Sequence, residues 1–496
     1  MSPSWQAPAP TSIFDLTSNL SCNTSPPGSP PFKIRKQPVV YTMKSDFLFY
    51  PLFQEELNRL VHHPGRKEAR YLVRIEKEVA LPDPVLDLVL SCRVPEKFYY
   101  SAKDAPFELG GLGSALVIEA ASGGEVLDGF RRLWNRDETI PVFGGFAFDV
   151  EEDPAPEWRS FGRYRFTLPL VEIFRSPGGA RIRVNHINNK RLPRDHVLRE
   201  LTDGLQSLDA LPRLSPAAGQ PVPADRTLIP EKPQWNRMIK KALRSIVEGD
   251  LKKIVLARKK VFTRKDRWDP VQIAAALAGI SEKSSLFFYQ IEDGVAFLGR
   301  SPERLFRMQN GTLLADAIAG TRPRGKNPFD DQRLEAELLN TPKELEEHRF
   351  VAGFIETRMH QLCTDVQVES REEILKLKNV QHIITRYSGR SQQNFSPLAI
   401  AEAFHPTPAV GGFPQEEIHS CLRRYEPFQR GWYAAPIGWM NRKNADFSVG
   451  IRSALVNGKS LHIFAGAGIV LQSNAHAEWK ETEKKMDNFA AILGEI

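Results

Sequence analysis

The chain has 496 residues, 41% apolar and 26% charged. That is an ordinary soluble composition, too long for one compact core, so two or three domains are expected. The four cysteines (Cys22, Cys92, Cys363, Cys421) show no CxxC spacing, which argues for reduced thiols in a cytoplasmic protein and against a disulfide frame or zinc site. The formal charge of +7 argues only weakly for nucleic acid: residues 1–45 carry +3 of it (Lys33, Arg35, Lys36 and Lys44 against Asp15), and no basic stripe interleaved with aromatics follows. No apolar run approaches the roughly 18 residues that span a bilayer, so no membrane association is expected.

Residues 1–45 are rich in Ser, Pro and Thr and poor in periodic apolar positions, and they read as a disordered or targeting tail. Ser-rich, acid-poor segments also serve as transit peptides, which would place the chain in a plastid. An untranslated leader ahead of Met43 is the alternative.

Residues 46–225 read as an N-terminal α/β half. Tyr71–Glu76 alternates like a strand, and Phe143–Val150 and Arg165–Ile173 are also strand-like. Gly110-Gly111-Leu112-Gly113 lacks the third glycine and following helix of a dinucleotide site and reads as a tight turn between strands. The Pro/Ala-rich stretch Leu214 to Pro223 reads as a surface linker.

Residues 226–496 form the second unit. Trp235, Met238, Ile239, Ala242, Leu243, Ile246 and Val247 fall at helical spacing, with Gly249 as the stop. Lys253 to Phe262 is β-branched and strand-like, with Lys253, Val255 and Ala257 on one face. Thr341-Pro342-Lys343-Glu344 predicts a helix start with a capping box, running to about Cys363, and puts Glu344 and Glu347 on one face. A last helix over about 476–493 puts Glu478, Glu481 and Lys485 together. Either carboxylate pair alone reads as a solvated face. A hard cation such as Mg²⁺, however, takes one or two protein carboxylates plus waters and substrate oxygens, which two such helices could supply.

The unusual strings are Lys252-Lys253-Ile254-Val255-Leu256-Ala257-Arg258, Gly299-Arg300-Ser301-Pro302-Glu303-Arg304, Ala319-Gly320-Thr321-Arg322-Pro323-Arg324-Gly325 and Lys343-Glu344-Leu345-Glu346-Glu347-His348. They continue with His405-Pro406-Thr407-Pro408, Gly450-Ile451-Arg452-Ser453, Ala465-Gly466-Ala467-Gly468 and Glu478-Trp479-Lys480-Glu481-Thr482. In this order and spacing the series resembles the chorismate-utilising enzymes and, within them, the isochorismate synthases. The resemblance is strong over about 230–496 and weak over 46–225, where Phe143-Gly144-Gly145-Phe146-Ala147-Phe148-Asp149 carries it.

The resemblance implies large mixed β-sheets packed together with helices outside, and a reversible, Mg²⁺-dependent conversion of chorismate to isochorismate. It makes Lys253 the base that activates water and Glu303 the acid that protonates the departing C4 hydroxyl. Without it, Lys253 reads as an exposed strand lysine and Glu303 as a turn carboxylate. Glu347 and Glu481 would hold the metal, supported by Glu344 and Glu478. Arg452, Tyr433 and Lys485 would bind the substrate dianion, and Gly466 and Gly468 would let main-chain N–H groups approach a carboxylate. Gly320 and Thr321 would form a second contact turn, His405 would lie near the ring, and His348 reads as a packing residue. Relatives that transfer ammonia from a glutaminase subunit lack the lysine at position 253, so no such partner is expected and a monomer is the default. A salicylate synthase, which goes on to eliminate pyruvate, is the alternative. Menaquinone, phylloquinone, catechol siderophore and salicylate pathways all stay open.

Overall fold

The computed structural model describes residues 14–15, 41–42, 49–62, 71–81, 84–104, 106–135, 137–188, 194–210, 225–249, 251–280, 283–376, 380–392 and 395–493. The Leu214 to Pro223 stretch lies outside them, as does nearly all of 1–45. The exceptions, Phe14–Asp15 and Tyr41–Thr42, are two-residue strands against Tyr71–Ala80.

The β-branched and aromatic stretches pair into one continuous ladder. From Asp225–Ile229 it runs through Lys253–Thr263, Ser460–Ile469, Ser453–Asn457, Val295–Ser301 and Ser285–Glu292. There it crosses into the N-terminal half, through Lys97–Ser101, Glu108–Ala120 and Tyr164–Ser176. The last of these forks: its second half pairs with Gly179–Asn188 and its first with Val142–Phe146. Val142–Phe146 leads back through Pro436–Met440, Ala445–Val449, Arg304–Gln309, Thr312–Pro323, Val380–Ser391 and Cys363–Lys376. The halves of the sequence thus interleave at two seams.

One buried cluster, with Phe143, Trp158, Phe166, Phe297, Trp432 and Phe447, joins side chains from both passes of this ladder. A second cluster sits between sheet and helices and takes in Val89, Leu201, Ala274, Leu277, Met486 and Phe489. Each such side chain removed from water contributes about 1.5–3 kcal/mol relative to exposure, which is what draws the layers together. This is the mixed α/β architecture with outer helices that the resemblance implies. Among the described residues no helix is long and apolar enough to cross a membrane.

The helix read from Trp235 onward spans Lys232–Glu248, buries Trp235, Met238, Ile239 and Ala242, and ends at Gly249. Three local expectations need correction. Gly110 and Gly111 do not form a turn but lie inside the Glu108–Ala120 strand. A Cβ on Gly110 would sit 2.6 Å from Val89 Cγ2, and one on Gly111 2.6 Å from Pro169 Cγ, so close packing explains these glycines. The strand at 143–150 is shorter, Val142–Phe146. Thr341 makes no capping box: its hydroxyl donates to the Glu337 carbonyl of the preceding Pro328–Asn340 helix, and Glu344 bonds elsewhere.

Candidate active site

Two helices and two strands build one large cavity of about 1100 Å³. The Pro342–Leu362 helix packs on Thr312–Pro323, and the Ala475–Ile492 helix packs on Ser460–Ile469. Glu344, Glu347, Glu478 and Glu481 therefore all line the same space, with Glu303, Gly320, Thr321, Tyr433, Arg452, Gly466, Gly468 and Lys485.

Lys253 opens its strand where the backbone pairs with Gly412–Phe413, and its side chain is 2% exposed. It is not the solvent-facing lysine an isolated strand would suggest. Its ammonium donates to Glu347 Oε1 at 2.8 Å. Burial pushes the Glu347 carboxyl up, but Lys253 outweighs this, with help from Lys485 and Lys343, and holds it below the usual range. The room for Lys253 comes from Gly468, whose Cβ would lie only 3.0 Å from Lys253 Cε.

Glu303 sits in the link between Val295–Ser301 and Arg304–Gln309. Ser301 Oγ accepts its N–H and donates to its carbonyl, both at 3.2 Å, and that carbonyl also accepts the Val449 N–H at 3.0 Å. Burial raises its carboxyl to about 7, although Lys103, Lys253 and Lys485 all pull it down.

Arg452 occupies a break between Ala445–Val449 and Ser453–Asn457 at φ 50°, a left-handed conformation that few non-glycine residues adopt. Its guanidinium donates to the Lys485 carbonyl at 3.2 Å while lining the cavity. Lys485 in turn pairs with Glu481 at 2.6 Å and donates to the Gly466 carbonyl at 2.9 Å. Tyr433 is buried, and burial pushes its phenol well up, keeping it neutral.

The four carboxylates differ in their ties. Glu344 accepts the Thr321 N–H at 3.1 Å and Arg322 Nη1 at 2.6 Å, so it holds Gly320 and Thr321, which form not a turn but a bulge inside the Thr312–Pro323 strand, with Gly320 at φ 75°. Burial pushes the Glu478 carboxyl up, the Ser473 hydroxyl pulls it back, and the neighbouring Glu481 charge pushes it further up. Among the described residues, no three His, Cys, Asp or Glu side chains converge closely enough to hold a metal by themselves.

Lys253 is not itself in the cavity lining and reaches it through its bond to Glu347, and one further expected position falls differently. His405 is not in the cavity lining: Nε2 lies 2.9 Å from the Phe148 carbonyl, Phe146 and Phe148 meet its ring edge-on, and burial lowers it to about 3. It is a neutral strut of the wall. His348 is buried against Thr385 Oγ1 at 2.8 Å, as a packing residue should be. The sequence reading missed Lys103 and His382, both in the lining. His382 Nδ1 lies 2.9 Å from Thr321 Oγ1, and burial lowers the ring to about 4. Neither residue belongs to a recognisable string, and only the tertiary pairing brings them in.

A smaller cavity of about 270 Å³ is lined by Asp149, Arg423, Glu426 and Arg430, whose charges satisfy one another.

Comparison with known proteins identifies the family. The family model described as Chorismate binding enzyme matches residues 57–494. Isochorismate synthase MenF of Bacillus subtilis (strain 168) is 30% identical over 468 residues, covering 89% of this chain and 98% of that protein. Isochorismate synthase 2, chloroplastic, of Arabidopsis thaliana is 32% identical over 402 residues, covering 79% and 72%. The structure of MenF, the menaquinone-specific isochorismate synthase from Escherichia coli, superposes with a TM-score of 0.78 at 24% identity, over 89% of this chain and 98% of that one, which speaks to the fold. The chain belongs to the chorismate-binding enzyme family.

Proposed function

We propose that this chain is an isochorismate synthase that converts chorismate and isochorismate reversibly. The observation that carries the reading is a buried lysine, bonded at 2.8 Å to Glu347 of the cavity wall, acting on a carboxyl of the same cavity, Glu303, that burial raises to about 7. An acid whose pKa lies near the working pH is suited to give and retake a proton.

In the forward direction Lys253 is placed to take a proton from water as the oxygen attacks C2. The ring double bonds shift, the C4–O bond breaks, and Glu303 protonates the departing hydroxyl, which leaves as water. One hydroxyl replaces another and atoms balance, so the same groups serve the reverse reaction. Arg452 is suited to fork onto the enolpyruvyl carboxylate, with Tyr433 and Lys485 beside it.

The donor chemistry fits Mg²⁺: four carboxylates on two helices line the cavity, and burial and a like charge push one of them up, a cost a cation would relieve. Glu347 and Glu481 would hold it, supported by Glu344 and Glu478. When bound, it would neutralise the carboxylates and orient the ring carboxylate of the substrate.

The test is incubation of the purified chain with chorismate and Mg²⁺, with products resolved by chromatography. Isochorismate and residual chorismate at a fixed ratio, approached from either side, is the expected result. Salicylate with pyruvate would replace the reading by a salicylate synthase, and an aminated product formed only with ammonia would overturn the role of Lys253.

A further inference from the structure

Lys103 lies between the Lys97–Ser101 and Glu108–Ala120 strands, in a part of the chain with no recognisable string, yet it lines the cavity beside Pro302 and Glu303. Asp104, the next residue, pairs with Arg304 at 2.9 Å. Arg304 also meets Asp446 at 3.4 Å, and Asp446 accepts the Tyr100 hydroxyl at 2.7 Å. Tyr100 and Asp104 belong to one hairpin, so the hairpin is tied at two points to the network of Arg304, the residue after Glu303. Lys103 precedes Asp104 as Glu303 precedes Arg304. Pairing the second members carries the first members to the same stretch of wall.

Charged groups face Glu303 from three elements: Lys103 on the hairpin, Lys253 on its strand and Lys485 on the last helix, with the neutral Thr407 hydroxyl nearby. Among the three cations Lys103 has the largest effect on Glu303. Lys103 itself faces Asp104, Asp316 and Arg304 as well as Glu303.

We infer that Lys103 is a positioning residue of the proposed reaction: its ammonium steadies the Glu303 carboxylate left after the proton goes to the departing hydroxyl. The inference rests on the synthase reading. The proton moves from Glu303 to the leaving oxygen, and Lys103 neither gains nor loses one.

The experiment compares wild type, K103M and K103R in kcat, KM and the pH profile of kcat/KM. K103M should lower kcat about tenfold with KM for chorismate nearly unchanged, and should move the limb near pH 7 upward by about one unit. K103R should restore both. If kcat falls while the limb stays put and K103R is no better than K103M, Lys103 merely satisfies Asp104 and Asp316, and the inference is overturned. The same holds if K103M behaves as wild type. A parallel ¹³C NMR titration of the Glu303 carboxyl, with its resonance assigned by E303Q, needs no turnover. A wild-type chain that makes no isochorismate sinks the synthase reading, whereas a Glu303 titration unmoved by K103M sinks this inference alone.

Discussion

Substituting Gly468 by alanine tests the site with one added methyl group. Gly468 sits opposite Val255 in the ladder and is not in the left-handed region, so its backbone accepts alanine. The new Cβ would lie 3.0 Å from Lys253 Cε, 3.6 Å from Glu347 Oε1 and 3.7 Å from Lys253 Nζ. Carbon atoms rest at about 3.5–4.0 Å, so Cε must retreat by several tenths of an ångström and drag Nζ and its 2.8 Å bond to Glu347 with it. Misplacing a reacting group by about 1 Å costs on the order of 10²-fold, so kcat should fall roughly 10–100-fold. Stability should barely change, because Gly→Ala in compatible backbone gains about 0.4–1 kcal/mol through the unfolded chain, against a soft contact with a flexible side chain. The control is Gly458→Ala, at φ 59° with nothing within 4 Å of its Cβ, which should lower Tm and leave kcat alone. The assay is initial-rate isochorismate formation alongside a thermal melt. Wild-type kcat and KM in G468A would refute the placement of Lys253 at the reacting centre.

Glu303→Gln should lower kcat by about 10²–10⁴-fold and remove the limb near pH 7. Its folded pKa of about 7 lies above the ordinary 4.5, so the native chain holds a proton the unfolded chain has released, and stability falls as pH rises from 4.5 through 7. The mutant-minus-wild-type difference in Tm should therefore be more favourable at pH 8 than at pH 5, and equal differences would contradict the buried acid. Arg452→Lys loses a forked, charge-assisted contact worth about 1.5–3 kcal/mol, so KM for chorismate should rise roughly 10–100-fold with a smaller change in kcat. Glu478→Gln should weaken Mg²⁺ binding about 10–100-fold and Glu481→Gln at least as much, read by calorimetric titration of Mg²⁺ as well as by activity. Unchanged affinity in both would remove the metal from this cluster.

What could be read from the sequence was what depends on near neighbours. The periodicity of Trp235, Met238, Ile239 and Ala242 marked a buried helix face, and those four side chains are buried. The carboxylates spaced i, i+3 lie on helices and reach the same cavity. What failed depended on contacts distant in sequence. Gly110 is a glycine because Val85 and Val89 pack over it, which no turn rule anticipates. The capping box was lost because Thr341 is shared with a preceding helix that periodicity did not reveal, and that helix's carbonyl takes the hydroxyl. His405 heads a recognisable string, yet it braces the wall through Phe148. Lys103 reaches Glu303 only through the hairpin pairing, so no local pattern could announce it.

The site's location follows from where the ladder stops. Ser460–Ile469 is bonded along one side to Lys253–Thr263 as far as Ile469, but along the other only from Ser460 to Ile463. The partner, Ser453–Asn457, would continue alongside Phe464 and Ala465 if the chain stayed extended, but it turns away at Arg452. Among the described residues no strand replaces it. Gly466 sits at a position where the Ala257 N–H turns instead to Glu426, so the peptide groups of this pair point outward from each other. The Gly466 carbonyl takes the Lys485 ammonium, and its N–H points to the same open side. The residue whose left-handed turn ends the ladder thus also aims its guanidinium into the opening. A row of backbone groups that would otherwise be a sheet edge is met by Lys485, Arg452 and the cavity. Glycine at 466 and 468 keeps the sheet face beside that edge, toward Tyr433, Lys253 and Glu347, free of side chains, at a cost of roughly 0.5–1 kcal/mol each within a strand. That cost makes sense physically if something small and anionic has to approach the main chain there.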